Sequence, residues 1–546
     1  MDIPLAERVL PPSLDEATFD KALDAIIEIV GEDNVSRDSL KGNLEGPQGQ
    51  TCYGDLWPLA DATDHTPSAA IRPASVEEIQ GVLKIANHYK IPLWTLSRGK
   101  NLGYGASGAV VRGSVILDLH RMNKIIEVNE EYAYAIVEPG VSFFDLYHYV
   151  QERNYRLWPS SPALGWGSVV GNTLERGFGY TPEGEHAEQQ CGMELVLANG
   201  EVIRTGMGAL KGSPMWPLYK GGYGPSVDGL FFQSNLGIVT KIGLHVTPAP
   251  VCYIDCEVSV PNEEDLAALV KGISSLEREG VIQNHTSIAN PYRQSFSSKD
   301  EDIMKRVLNP GMQGSYATNE DMTALQREQG WGYWRAYFAI YGASAKVTDA
   351  HWSTVQERLG VIPGVTFKGQ RHESKDGGRL NASQMPKGEI PHNGFPRIDA
   401  KDFVNVRGFG GGHLAFAPLF PPGGAELQEW FTKALSTVEK AKFDLFSDFH
   451  VFGRYVIGIV LIVYAPAEGA RAKTLMEELL RDGKEKFGIS EYRTHIDYMD
   501  EVQSHFDFGN GSLDRLITVI KQSLDPNGIL SPGKSGIWAR PRETRI

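Results

Sequence analysis

The chain has 546 residues, enough for more than one domain or one large two-lobed unit. Apolar content of 41% and charged content of 22% are those of a folded globular protein and exclude a disordered or fibrous chain. The net charge of −15, from 53 basic against 68 acidic residues, argues against nucleic acid or an anionic membrane as partner.

The first residues, Met1-Asp-Ile-Pro-Leu-Ala-Glu-Arg8, lack the basic and apolar regions of a secretion signal. The expected location is therefore cytoplasmic, or periplasmic if a signal was removed. A helix is expected over 16–30, with Phe19, Leu23, Ile26, Ile27 and Val30 on one face and Gly31 as its stop. A second helix starts at Ser75, where Ser75 and Glu78 fit a capping box ahead of the stripe Ile79, Val82, Leu83 and Ala86. Residues 91–96 read as a strand, and glycine-rich 97–105 follows at once. Short strands are expected at 115–119, 125–128 and 134–137, then a helix capped by Ser142 with Asp145. Pro248-Ala-Pro250 marks a boundary after this first mixed lobe. A second α/β lobe over 251–490 has helical patterns near 263–278, 346–359 and 424–441, and 366–400 reads as a long surface loop. The apolar run 456–465 is too short to span a bilayer and reads as a buried strand. A last helix over 513–524 ends at the turn Asp525-Pro-Asn-Gly528. Cys52, Cys191, Cys252 and Cys256 form no CxxC pair, so buried thiols are expected, with neither a metal site nor a disulfide framework.

Several stretches have a composition suited to chemistry. His413 closes the run Arg407-Gly-Phe-Gly-Gly-Gly-His413, at the start of a strand-like segment. It is either a structural histidine at a strand end or a neutral nucleophile beside a bound planar group. Gly103-Tyr-Gly105-Ala-Ser-Gly108 matches GxGxxG, but a strand-like segment follows it instead of a helix. A dinucleotide fingerprint needs that helix. The better reading is a turn whose N–H groups form an anion nest, with Arg98 and Lys100 adding charge, against the alternative of a plain surface turn. Further glycine-rich stretches at 165–186, 233–240 and 525–536 mix glycine with Ser, Thr or Asn. Together the four suggest one extended polar ligand threaded through the first lobe.

The stretches GNTLERGFGYTPEGEH (171–186), CGMELVLANGEVIRTGMGALKG (191–212), YGPSVDGLFFQSNLGIVTKIG (223–243), EYRTHIDYMD (491–500) and DPNGILSPGKSGIW (525–538) occur in this order. In this the chain resembles the vanillyl-alcohol oxidase and p-cresol methylhydroxylase flavoproteins, in particular the branch acting on phenols. The resemblance implies an α+β, two-lobed FAD-binding fold. Residues 1–250 would form the FAD lobe, 251–490 the cap over the substrate, and 491–546 a segment completing the FAD lobe.

The resemblance implies FAD held by Ser97, Arg98, Gly99, Lys100, Asn101, Leu102 and Gly103, and by Gly171, Asn172, Gly177, Gly179 and Tyr180 in the second stretch. Gly237, Ile238, Val239 and Lys534 would complete the set. His413 matches the histidine that links covalently to the flavin in the oxidase branch. The tyrosine used by the other branch has no counterpart in 403–407. A helper histidine expected near 53–61 is missing, and His65 lies a few residues late. Tyr104, Tyr492 and Arg493 match the group that binds a phenolate. Glu185 falls where the family has an acid beside flavin N5, and Asp448 near a position that influences water addition. The paired histidines common after that strand are replaced around Tyr455-Val-Ile-Gly458, with His450 a candidate substitute.

The implied reaction is oxidation of 4-alkyl, 4-alkenyl or 4-hydroxymethyl phenols through a para-quinone methide, followed by water addition or alkene formation. Alternatives are an electron-transfer subunit passing electrons to a cytochrome c, or a same-fold oxidase of a sugar or alkaloid. The bicovalent sugar oxidases carry a histidine in the phosphate loop, which 97–101 lacks. The implied partners are a small phenol and further copies of the chain. The para substituent, the stereochemistry and the choice of oxygen or cytochrome as acceptor are not encoded in these motifs.

Overall fold

The computed structural model describes residues 8–37, 53–55, 65–298, 300–308, 316–374, 377–386, 388, 390–398 and 411–540. Helices Glu16–Val30 and Val76–Tyr89 form where the apolar spacing places them. Asp15 caps the first by accepting from Thr18 N at 2.7 Å, and Gly31, at φ 85°, ends it. Ser75 accepts from Glu78 N, but the Glu78 carboxylate reaches back to Ala74 N instead of Ser75 N, so the expected box is half formed. Ser142 and Asp145 form the complete box ahead of helix Phe143–Glu152.

The first pair of helices covers a four-stranded sheet in the order Val35–Ser36, Ala69–Ile71, Val115–Asp118, Leu93–Leu96, in which the last three strands run parallel. Phe19, Leu23, Ile79, Leu83, Leu93 and Leu117 share its core with Ile529 and Leu530 from the far end of the chain. Leu93 N donates to Ile529 O and Ser531 N to Leu93 O, both at 2.7 Å. An antiparallel five-stranded sheet follows, ordered Ile125–Asn129, Tyr134–Val137, Ile238–His245, Gln190–Val196, Val202–Arg204.

From Cys252 onward the chain builds an antiparallel eight-stranded sheet. Its order is Thr366–Glu373, Cys252–Val260, Trp334–Gly342, Thr286–Ala289, Phe446–Val451, Val456–Tyr464, Gly412–Phe416, with Leu419–Phe420 also on Val456–Tyr464. Helices Leu266–Arg278, Ala345–Leu359 and Ala425–Lys440, each within three residues of its sequence pattern, bury Leu269, Val355 and Trp430 in one core with Val258, Phe338 and Phe449. The run read as a buried strand is Val456–Tyr464.

The expected surface loop 366–400 is corrected. Its first eight residues are the edge strand Thr366–Glu373, polar because most of its side chains face solvent. Further along, Leu380, Ala382, Ile390, His392 and Asn393 are buried. The helix read over 513–524 belongs to Phe508–Leu524, whose left-handed Gly509, Asn510 and Gly511 separate its start from the regular part. Cys191, Cys252 and Cys256 are buried free thiols, and Cys52 lies outside the described residues.

Candidate active site

Strand Leu93–Leu96 ends in a series of turns, and no helix follows before the next strand at Val115. The GxGxxG match is therefore a turn. Gly103 (φ 79°) and Gly105 (φ 101°) sit in left-handed conformations that favour glycine. A Cβ on Gly103 would lie 2.3 Å from His413 Nε2, and one on Gly105 2.6 Å from Ile496. The turn thus closes onto a strand of the large sheet and onto the segment after Arg493.

Ser97, Arg98, Gly99, Lys100, Asn101 and Leu102 line a cavity of about 1020 Å³ that also takes in Gly171, Asn172, Tyr180, Gly237, Ile238, Val239, His413 and Lys534. The Arg98 side chain, which lines the cavity, also ties the loop to its neighbours. Its guanidinium donates to Gly140 O at 2.6 Å and Trp166 O at 3.1 Å, strapping the loop to its neighbours. Lys100 Nζ lies 5.0 Å from the centroid of the Trp166 ring, and burial, with Arg98 adding, pushes its pKa down to about 8. Lys534 is paired with Glu175 at 2.7 Å.

Gly103, Gly177 and Gly179 are outside the lining. Their missing side chains face His413, Asn172 and Ser160, so these glycines pack protein against protein. Gly171 lines the cavity but is likewise pressed on Ser97 Oγ, 2.3 Å from a notional Cβ.

Tyr104, Tyr492 and Arg493 come together in the same cavity, although the first lies in the turn and the others near the C-terminal end. Arg493 donates to Tyr492 Oη at 2.7 Å, and its guanidinium carbon lies 4.7 Å from the Tyr104 ring centroid and 5.2 Å from that of Tyr492. Its Nε–H has no hydrogen-bond partner among the described residues. Burial works against the charge of Arg493, but Tyr492 and Tyr104 outweigh it and raise its pKa. Burial also raises the Tyr104 hydroxyl. The result is a buried cation in the cavity wall, a setting in which an anion gains most.

Asp448 lines the cavity on strand Phe446–Val451. It accepts from Ser287 Oγ at 2.5 Å and from Arg293 Nε at 3.4 Å, and His450 Nε2 lies 3.7 Å away. Burial alone would raise the Asp448 pKa, but His450, Arg293 and Ser287 outweigh it and hold the group below the usual carboxylate range. Burial holds His450 low, and therefore neutral.

Glu185 is not brought to this place. It precedes the short helix His186–Gln189, stands outside the lining, and accepts a short hydrogen bond from Tyr455 Oη. The expected mutual perturbation of the two carboxylates is corrected accordingly: burial raises Glu185 and Tyr455 opposes that, with no contribution from Asp448.

Arg293 escaped the sequence reading. It sits in helix Pro291–Ser297, started by Asn290 as cap and Pro291 at the first position, a local signal that was available. Nothing local marked it as the partner of Asp448.

His413 is the second residue of strand Gly412–Phe416 and pairs with Val463 across the ladder. Burial, reinforced by His495, pushes its pKa down to about 3, so the ring is neutral. A neutral imidazole is the nucleophilic form. The glycines up to Gly410, the stretch 403–407 and residues 56–61 lie outside the described residues. His65 is bound to Asp497 at 2.6 Å and to Ala109 O at 2.8 Å, and His495 to Asp55 at 3.1 Å.

A backbone-lined cavity that joins the turn, a neutral histidine and a fixed cation suits a large planar cofactor and a small anion. Residues 67–206 match the family described as "FAD binding domain". The chain is 36% identical to the 4-cresol dehydrogenase [hydroxylating] flavoprotein subunit of Pseudomonas putida, over 97% of this chain and 98% of the relative. It superimposes on 4-ethylphenol oxidase from Gulosibacter chungangensis with a TM-score of 0.87 at 33% identity, covering 98% and 100% of the two chains. For p-cresol methylhydroxylase with substrate bound the values are 0.85, 34%, 97% and 99%. The fold and the site thus define an FAD-dependent oxidoreductase. The chain belongs to the vanillyl-alcohol oxidase and p-cresol methylhydroxylase family of flavoproteins.

Proposed function

We propose that this chain oxidises 4-alkyl, 4-alkenyl or 4-hydroxymethyl phenols at the carbon para to the hydroxyl. In this reading residues 1–250 and 491–546 hold FAD and 251–490 cap the substrate. FAD supplies the hydride acceptor. The loop Ser97 to Leu102, Gly171 and Asn172 of helix Val169–Leu174, Gly237 to Val239 and Lys534 are the groups that would hold it, and His413 would be the point of its covalent attachment. The observation that carries the reading is Arg493 set between Tyr104 and Tyr492 in the cavity that the FAD-binding loop lines.

Arg493 and the two tyrosines take the phenol oxygen as its anion. The anion pushes electrons toward the para carbon, and loss of hydride there leaves a para-quinone methide. Asp448, ionised and in the cavity wall, takes a proton. If it comes from water adding at the benzylic carbon the product is an alcohol, and if from the next carbon it is an alkene. Glu185 sets Tyr455 instead of meeting the substrate. The name of the Pseudomonas relative, a flavoprotein subunit, supports a protein electron acceptor such as a cytochrome. Oxygen is the alternative, and a homo-oligomer in the cytoplasm is the expected form.

The test is anaerobic bleaching of the FAD-loaded protein by a panel of para-substituted phenols and their methyl ethers. The phenols should bleach it and the ethers should not; equal rates would end the phenolate reading. Acid-precipitated protein should stay yellow, with the flavin on the peptide containing His413.

A further inference from the structure

The segment that supplies Tyr492 and Arg493 opens with Glu491, an acid that phenol binding as described above does not use. Glu491 is buried, and its Oε1 accepts from Ala417 N at 2.7 Å. The backbone on either side is tied to the same place. Leu419 N donates to Ser490 O at 3.1 Å, and Tyr492 N to Ala417 O at 3.0 Å. Gln233 Nε2 donates to Tyr492 O at 2.7 Å. Ala417 and Pro418 link strands Gly412–Phe416 and Leu419–Phe420, so the carboxyl pins the start of the phenolate-binding segment to the large sheet.

A glutamine would accept from Ala417 N equally well. A carboxyl is the less favourable choice, because Oε2 is buried without a hydrogen-bond partner among the described residues. Nor is Glu491 the counter-ion of Arg493: no ion pair joins them among the described residues, and Arg493 donates to Tyr492 Oη. Burial, with Glu501 adding and with Thr494 and the Ala417 N–H opposing, pushes the Glu491 pKa up to about 8, so the group is neutral at pH 7. Tyr104 of the turn and Tyr498 feel its charge, and burial keeps both protonated. Glu501 acts on it from helix Met499–Ser504, its own segment adds Tyr492, Arg493 and His495, and the two strands add only His413, which is neutral.

We propose that Glu491 is a positioning residue for phenol binding: as a neutral acid it holds Tyr492 and Arg493 in register with Tyr104, and when it loses its proton the site binds the phenolate more weakly. The proposal rests on the phenol-oxidation reading. Two effects act together. The charge of an ionised Glu491 reaches the Tyr104 hydroxyl, and there it opposes the phenolate through a low-dielectric interior. It also leaves a buried carboxylate with one oxygen lacking a donor, so the segment has to shift to admit one. By linkage, a bound phenolate favours the protonated form of Glu491 to the same extent.

The test uses FAD-loaded protein and 4-chlorophenol, which has no oxidisable para carbon, with 4-chloroanisole as the ether control. Binding is followed from pH 6.5 to pH 9.5 by perturbation of the flavin spectrum. The ratio of the dissociation constants of wild type and Glu491→Gln cancels the ligand's own ionisation. It should stay near one at pH 6.5 and approach about tenfold at pH 9.5, with the wild type the weaker binder, the effect of about one pKa unit of coupling. A ratio that is flat with pH, at one or at a constant penalty, is what a structural role alone gives, and it overturns the proposal. In Glu501→Gln the alkaline loss should persist, displaced to lower pH because that neighbour raises Glu491. A loss abolished there would assign the titration to Glu501 and overturn the proposal as well. Infrared difference spectra of wild type against Glu491→Gln at pH 6.5 should contain the carbonyl stretch of a protonated carboxyl, a signal that needs no phenol; its absence has the same consequence. If neither protein binds 4-chlorophenol more tightly than 4-chloroanisole at any pH while the infrared signal is present, it is the phenolate reading that fails.

Discussion

Two parts of the cavity wall, one around Arg493 and one around Asp448, are built in opposite ways. At one end a buried cation, Arg493, is flanked by two tyrosines contributed from the turn after strand Leu93–Leu96 and from the C-terminal segment. At the other an anion, Asp448, is fixed by Ser287, Arg293 and His450 within and beside the large sheet. In the proposed reading the first is the binding end, with a buried cation beside two tyrosines, and the second the reacting end, with an anion held ionised against burial. A phenol bound in this way would put its oxygen at the cation and its para carbon toward the base, the direction in which electrons must move.

The sharpest way to break this comparison is Asp448→Asn, which keeps shape and removes the base. Water addition or alkene formation should slow by about 10²–10⁴, the usual contribution of a positioned base, while bleaching slows far less. Equal losses in both steps would place Asp448 in substrate binding. Arg493→Met tests the other end. A lost charge-assisted contact of about 1.5–3 kcal/mol corresponds to roughly one to two decades in kcat/KM, with bleaching itself impaired. Loss confined to the step after bleaching would reverse the assignment of the two ends.

How much of this was legible in the sequence follows from how local each signal is. Ser142 with Asp145, the stripe from Ile79 to Ala86 and the glycines of the turn are read within a few residues, and their elements form as expected. Tyr104, Tyr492, Arg493, His413 and Asp448 were found through motif resemblance, and they line one cavity. Pairings across the fold were not legible. Arg293 meets Asp448 from 155 residues away, and Tyr455 takes Glu185 from 270. Such choices depend on strand order, which no local pattern encodes. The edge strand Thr366–Glu373 was missed for a related reason: its backbone pairs with Cys252–Val260 while its side chains keep the polarity of a loop.

Acid sharpens the comparison further. His413 and His186 have pKa values pushed by burial from 6.5 to about 3 and about 4. Below pH 6.5 the unfolded chain binds protons that these folded imidazoles refuse, so stability is full above that pH and falls as pH drops toward the folded values. Each contributes up to ~1.4 kcal/mol per pH unit in that window. The depressed Asp448 pKa keeps that carboxylate charged from pH 7 to pH 5, whereas His450 beside it, also held low by burial, adds to the loss in the same direction. Protein without FAD should show a melting temperature that declines steadily from pH 7 to pH 5. A flat profile would mean that these rings are not buried in neutral form.

The smallest effect expected is that of Gly103→Ala, and it separates the ends most cleanly. At φ 79° an alanine is strained, and its Cβ would lie 2.3 Å from His413 Nε2. The strain costs about 1–3 kcal/mol in stability. The imidazole must also move, and Tyr104, the next residue, moves with the turn. Two readouts beyond the melting temperature follow: a lower fraction of acid-stable flavin, and weaker binding of a phenol with the alcohol-to-alkene ratio unchanged. The ratio should hold because Asp448 is fixed by Ser287 and Arg293, in strand Thr286–Ala289 and helix Pro291–Ser297, and not by groups of the turn. If the ratio shifts while phenol binding stays intact, the turn is coupled to the reacting end, and the division of the cavity into two independently built halves is wrong.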